Sequence, residues 1–125
     1  MDSDSLKVNI LEYSTKLGGT TADLLAGDRL SVTELMYGMM LPSGNDAAES
    51  LAIFFGNIFK MLETNQKLSP HVVDCTLKED QLSDEELNIS INECLQKFYE
   101  HMNMEAAMLG MKKSNFASAH GMYVE

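Results

Sequence analysis

The most informative part of the sequence for the fold is the stretch Leu41-Pro42-Ser43-Gly44-Asn45-Asp46-Ala47-Ala48. An apolar segment ends at the proline, three small polar residues follow, and a second apolar segment begins at once. Because proline cannot continue a helix and small polar residues favour turns, this stretch predicts a tight turn between two helices. On such a turn the Ser43 hydroxyl and the Asn45 amide could orient a substrate and relay a proton. The alternative is that one of them only caps the second helix.

Both flanks of the turn carry helical signals. Ser31-Val32-Thr33-Glu34 matches a capping box, and apolar residues then recur at three- and four-residue spacing as far as the turn. From Ala47 to Leu62 the apolar residues cover a wide arc, so the second helix should be buried on more than one side. We expect this helix to begin at Asp46, and Asp46 and Glu49 in its first turn would favour the helix dipole.

The whole chain, residues 1–125, is predicted to be a single partial domain. Its fold class is mainly α with a short β and loop portion at the N-terminal end. A strand is expected within Leu6 to Tyr13, where apolar and polar residues partly alternate. A second capping box at Ser83-Asp84-Glu85-Glu86 opens a long helix, and Gly110 is placed to end it. The predicted divisions are 1–30 (strand and loop), 31–64 (helix, turn and helix), 65–82 (a surface excursion) and 83–125 (a long helix and an extended tail).

Composition narrows the classes of partner. The chain is 45% hydrophobic, as globular proteins are, and its net charge of −10 argues against nucleic acid or an anionic membrane surface. The first residues lack the basic and apolar regions of a signal peptide, and no apolar run could span a bilayer, so the compartment stays unknown. Cys75 and Cys94 could form one bridge, although two buried or idle thiols are favoured.

Metal ligation is only weakly indicated. His101 and Glu105 lie one turn apart on the long helix, and Cys94 lies one face away. A structural metal site needs three or four ligands, and no further ligand stands in an obvious place. Solvated side chains are therefore favoured, and we expect neither a metal nor a cofactor.

The turn and its flanks carry a family resemblance. Ser43-Gly44-Asn45, between Leu41-Pro42 and Asp46-Ala47-Ala48, resembles the second motif of the penicillin-recognising serine enzymes. The closest resemblance is to the D-alanyl-D-alanine carboxypeptidases of peptidase family S11. The likeness covers roughly Tyr13 to Leu62 and Phe98 to Tyr123. Its supporting segments are Gly18-Gly19-Thr20-Thr21-Ala22, Leu25 to Val32, Glu34 to Met40, Met102-Asn103, Leu109 to Lys112, Phe116 and His120-Gly121-Met122.

The resemblance implies a site of three elements. In that family a Ser-x-x-Lys supplies the nucleophile and its lysine, a Ser-x-Asn relays protons and holds the substrate amide, and a Lys-Thr-Gly on a strand binds the substrate carboxylate. Here Ser43 and Asn45 supply the second element, while Ser-x-x-Lys and Lys-Thr-Gly do not occur. The implied architecture is the helical part of a β-lactamase/transpeptidase-like α+β fold, in a family that is usually extracytoplasmic.

We therefore expect a serine-type D-Ala-D-Ala carboxypeptidase-like peptidase, present as an incomplete segment that lacks the nucleophile and is inactive alone. A peptide substrate or a β-lactam would bind only to a complete form. An exposed apolar face on the second helix could mediate self-association. Two alternatives stay open: a pseudoenzyme or helical interaction module on the same scaffold, and a β-lactamase or esterase relative.

Overall fold

The computed structural model describes residues 4–64 and 82–122. In chain order its elements are strand β1 (Lys7–Asn9), helix α1 (Glu12–Thr15), strand β2 (Arg29–Ser31), and helices α2 (Val32–Met40), α3 (Asn45–Glu63) and α4 (Asp84–Met108). The prediction of a mainly helical chain with a small β and loop portion at its N-terminal end is confirmed. All but the last residue of the predicted excursion lies outside the described residues, as does Cys75.

The predicted N-terminal strand is shorter than expected. β1 and β2 pair antiparallel, with Lys7 opposite Ser31 and Asn9 opposite Arg29. Ile10 and Leu11 then follow one another, and both are buried, which the alternating faces of a strand do not allow. The chain therefore leaves the sheet and enters α1, so the strand within Leu6 to Tyr13 ends at Asn9.

Helix α3 is the centre of the fold. Every residue from Asn45 to Phe54 is buried, because α4, α2, α1 and β1 all pack against this helix. One apolar cluster joins α3 to the strands and α2 through Val8, Ile10, Val32, Leu35, Ala47, Leu51, Phe54 and Ile58. A second joins it to α4 through Leu11, Ala52, Ile53, Ile91, Cys94 and Leu95. Burial on more than one side is confirmed.

The prediction of an exposed apolar face on α3 is therefore wrong for the first ten residues of this helix. The wide apolar arc is covered by four elements, and it is Leu62, near the C-terminal end, that is half exposed. The large apolar side chains most exposed beside the turn belong to the end of α2 and the residue after it, namely Met40 and Leu41. Self-association stays a prediction.

The helix ends follow the sequence signals closely. Ser31 and Ser83 each accept a hydrogen bond from the backbone N–H three residues on, completing both predicted capping boxes. α4 ends at Met108 with Leu109 as its C-cap residue, and Gly110 follows with a φ of +81°, the left-handed conformation that glycine adopts at little cost. In the described part of the chain, we find no helix whose length and hydropathy would let it cross a membrane.

Candidate functional site

Ser43 stands at the tip of the turn between α2 and α3. Its side chain is exposed and its φ is +55°, a conformation that costs a non-glycine residue free energy unless its surroundings fix it. Those surroundings are on both sides of the turn. Thr20 Oγ1 donates a hydrogen bond to the Ser43 carbonyl, and the Gly44 N–H donates to the Gly38 carbonyl at 3.2 Å. The hydroxyl is thus presented to solvent on a backbone held from two directions.

The capping alternative for Ser43 and Asn45 is not what the structure shows. α3 begins at Asn45, one residue earlier than predicted, so Gly44 is the N-cap residue and no side chain forms a cap hydrogen bond. Glycine is needed here for space. A Cβ on Gly44 would lie 2.6 Å from the Gly38 carbonyl oxygen and 3.0 Å from the Ala22 Cβ.

Asn45 is buried beneath the turn, 7% exposed. Its backbone N–H donates to the Thr20 carbonyl at 2.9 Å, and its side-chain Nδ2 donates to the Gly18 carbonyl at 3.1 Å. The same Nδ2 lies 3.4 Å from the sulfur of Met122. Ser43 and Asn45 are therefore close in the chain but differently placed, the hydroxyl outward and the amide inward. The prediction that both are presented on the turn holds for Ser43 alone.

Asp46 ties the start of α3 to the loop before β2. Its Oδ2 accepts from Thr21 Oγ1 at 2.7 Å and from the Leu24 N–H at 3.1 Å, while Oδ1 accepts from the N–H groups of Ala22 and Ala47 at 2.9 Å each. Burial alone would raise the pKa of this carboxyl, but the hydrogen bonds from backbone and hydroxyl outweigh it and hold the pKa below its ordinary value. The Asp46 side chain, which was expected to favour the helix dipole, therefore also fixes the loop to the start of α3 through hydrogen bonds.

Glu49 and His120 meet behind Asn45. Glu49 is 2% exposed, and its Oε2 lies 3.2 Å from His120 Nε2. Its Oε1 lies 3.5 Å from the Tyr99 hydroxyl, which can donate to it. Burial raises the pKa of the Glu49 carboxyl, and the neighbouring histidine and tyrosine oppose that rise.

An open cleft of about 360 Å³ runs beside the turn. Gly18, Gly19, Thr20, Thr21 and Asp46 contribute to its wall, together with α1 residues, whereas Ser43 does not line it. Gly19 must be glycine, since its φ is +79° and a Cβ there would lie 2.6 Å from Asn45 Nδ2. The backbone of the loop between α1 and β2 therefore packs directly against the Asn45 amide, with no room for a side chain at Gly19.

Comparison with known proteins adds to this geometry. No family model matches the chain. A D-alanyl-D-alanine carboxypeptidase of Streptomyces sp. (strain K15) is 53% identical over 36 residues, which are 29% of this chain and 12% of that protein. The crystal structure of the Streptomyces K15 DD-transpeptidase superposes with a TM-score of 0.68 and 26% identity, covering 99% of this chain and 37% of that one. The resemblance to the D-alanyl-D-alanine carboxypeptidases is confirmed.

A second solved structure extends the comparison. The D-alanyl-D-alanine carboxypeptidase DacD from Francisella tularensis gives a TM-score of 0.62 at 25% identity, covering 95% of this chain and 20% of that one. The chain thus spans little more than a third of the length of the DD-transpeptidase and a fifth of that of DacD. Its mostly helical structure with a two-stranded sheet has the DD-transpeptidase/β-lactamase-like fold.

The side chains weighed as metal ligands have other surroundings in this carboxypeptidase-like chain. The His101 ring stacks on Phe59, with centroids 3.8 Å apart, and Cys94 is buried with its sulfur 3.8 Å from Asn57 Oδ1. Within residues 4–64 and 82–122, no three histidine, cysteine, aspartate or glutamate side chains are grouped as a metal site would require.

Sequence reasoning missed Glu49 and His120 as a pair. The sequence places Glu49 in the first turn of a helix, where its charge favours the helix dipole. His120 is indicated only by the family resemblance of His120-Gly121-Met122. One signal could have found Glu49. It falls on the apolar arc of α3, between Ala48 and Leu51, where a carboxylate needs a buried partner.

Proposed function

We propose that this chain supplies the Ser43-Gly44-Asn45 element of a serine-type D-Ala-D-Ala carboxypeptidase-like peptidase of family S11. That enzyme would cleave a terminal D-alanine-type peptide bond through an acyl-enzyme, and Ser43 would relay the proton to the leaving group. The observation that carries the proposal is the exposed side chain of Ser43 on a backbone with a φ of +55°, which is held by hydrogen bonds to the Ser43 carbonyl and from the Gly44 N–H. Strain of this kind persists where the surroundings fix a residue for a task.

The proposal includes an incomplete site. The sequence contains neither Ser-x-x-Lys nor Lys-Thr-Gly, so it offers no serine activated by a neighbouring lysine and no strand motif for the substrate carboxylate. A complete site would need both from elsewhere, and only then would a peptide or a β-lactam bind covalently. A pseudoenzyme or interaction module on the same scaffold is the alternative.

Asn45 has the less direct part in this proposal. Its amide lies below the turn against Gly18 and Met122, and Asn45 is not among the residues that line the cleft. We expect Asn45→Ala to reduce turnover mainly with peptide substrates, since holding their amide is its proposed task.

A chimera tests the proposal. Residues 4–122 would replace the structurally matching segment of the Streptomyces K15 DD-transpeptidase, and fluorescent penicillin would report acylation. We expect the 125-residue chain alone to stay unlabelled and the chimera to be labelled. In the chimera, Ser43→Ala should slow acylation about 10²–10⁴-fold, as loss of a positioned proton-transfer group does.

The control is Ser114→Ala, which removes an exposed hydroxyl from the tail and should leave the rate unchanged. Both variants should melt with the parent, because neither serine caps a helix. A chimera that folds and is labelled equally well with Ser43→Ala would contradict the role of Ser43. A folded chimera that is never labelled would favour the interaction module.

A further inference from the structure

Glu49 and Asn45 share one face of α3. They are four residues apart, one helical turn, and both side chains are directed at the tail segment around His120 and Met122. Glu49 contacts the histidine and Asn45 contacts the methionine. The segment is therefore held at two points by consecutive turns of the central helix.

Backbone geometry fixes which nitrogen of His120 carries hydrogen. The Met122 N–H donates to His120 Nδ1 at 3.2 Å, so that nitrogen is an unprotonated acceptor. The neutral imidazole then carries its hydrogen on Nε2, which faces Glu49 Oε2 at 3.2 Å and donates to it. One ring thus links a buried carboxylate on α3 to the backbone of Met122.

The chain of contacts ends at the Asn45 amide. The Met122 sulfur lies 3.4 Å from Asn45 Nδ2, and the Gly121 N–H donates to Ser118 Oγ at 3.2 Å, which closes the turn. We infer that Glu49 and His120 are positioning residues for the Asn45 amide, acting through Met122. The catalytic meaning of this role rests on the proposed function, whereas the contacts themselves do not.

Nuclear magnetic resonance on the 125-residue chain tests the inference. The probes are the Asn45 side-chain amide and the Met122 methyl group. We expect both signals to move together in Glu49→Ala and in His120→Ala at neutral pH. Glu49→Gln keeps an acceptor for the imidazole and should restore most of the parent spectrum. Glu63→Gln removes an exposed carboxylate from the far end of α3 and should change neither signal.

The outcomes are separable. Folded Glu49→Ala and His120→Ala proteins whose Asn45 and Met122 signals stay at the parent positions would overturn the inference. If either variant unfolds, Met122→Leu becomes the deciding test of the contact with Asn45, since it removes the sulfur and keeps the apolar bulk. Its Asn45 amide signal must then shift while the fold is retained, and an unshifted signal overturns the inference too. A chimera that is never acylated would defeat the proposed function and leave these spectra unaffected.

Discussion

Replacing Gly56 by alanine should destabilise the protein, against the usual effect of this change in a helix. A Cβ at Gly56 would lie 1.8 Å from the Cys94 carbonyl oxygen and 2.5 Å from its carbonyl carbon. Both are backbone atoms of α4, so no rotamer change relieves the overlap. Gly56 therefore marks the point where α3 and α4 approach each other through backbone.

The size of the effect follows from two opposing terms. Alanine in place of glycine inside a helix gains about 1 kcal/mol through propensity. Relieving the overlap requires α3 and α4 to separate by about 1.7 Å, since non-bonded heavy atoms prefer about 3.5 Å or more. Overpacking of this kind costs about 3 kcal/mol, at the upper end of the usual range, because backbone must move. The net loss is about 2 kcal/mol, or roughly 8 °C in Tm for a chain of this size.

Thermal and urea unfolding followed by circular dichroism measure this difference. The matched control is Gly38→Ala in α2, where the new Cβ would lie 3.3 Å from the Ala22 Cβ and 3.5 Å from the Ala47 Cβ. The 3.3 Å contact is tight, but a shift of a few tenths of an ångström relieves it and the gain in helix propensity offsets the cost, so the control should melt close to the parent temperature. A Gly56→Ala protein as stable as the Gly38→Ala protein would refute the backbone contact between α3 and α4.

Three further changes probe the rest of the fold. Asp46→Asn should lower the free energy of unfolding by urea by about 2 kcal/mol, since charge-assisted hydrogen bonds are lost. Because the pKa of Asp46 in the folded protein lies below the ordinary 3.8, the parent keeps this stability above about pH 4 and loses it as the pH falls further. A variant whose stability falls with acid in the same way as the parent's would contradict these hydrogen bonds. Asn103→Ala removes both hydrogen bonds to the Phe116 backbone and should speed proteolytic cleavage of the tail, whereas Asn115→Ala should not. Burial raises the pKa of Cys94 to about 11, so at pH 8 only about one thiol in a thousand is ionised. Iodoacetamide should therefore leave Cys94 unmodified in the native protein. Prompt alkylation of Cys94, measured by mass spectrometry, would show that the thiol is accessible.

Local signals in the sequence predicted α2, α3 and α4 well, whereas α1 was not predicted. Both capping boxes and the glycine after α4 act through residues at most four positions apart, so their geometry is written in short stretches. The limits of the N-terminal strand were missed because burial of Ile10 and Leu11 depends on α3, not on alternation. Local pattern thus located the starts of α2 and α4, whereas tertiary packing determined where β1 ends.

The candidate site was predicted in part. The Ser43-Gly44-Asn45 turn could be located from Pro42 and the flanking helices, and the resemblance gave it a function. The outward hydroxyl and inward amide could not be derived, because they depend on Thr20, Gly18 and Met122, residues brought together only by the fold. No spacing rule links residues 45 and 122, and for the same reason the Glu49–His120 pair was invisible.

The hydrogen bonds around Asp46 and Asn45 also bear on the order of folding. Thr21, Ala22 and Leu24 bond to Asp46 across 22 to 25 residues, and Met122 meets Asn45 across 77. Each contact requires closure of a long loop, whereas the helices need only neighbouring residues. The helices can thus be largely formed in the folding transition state while the turn is not. Substitutions at Asp46 should then act mainly on the unfolding rate.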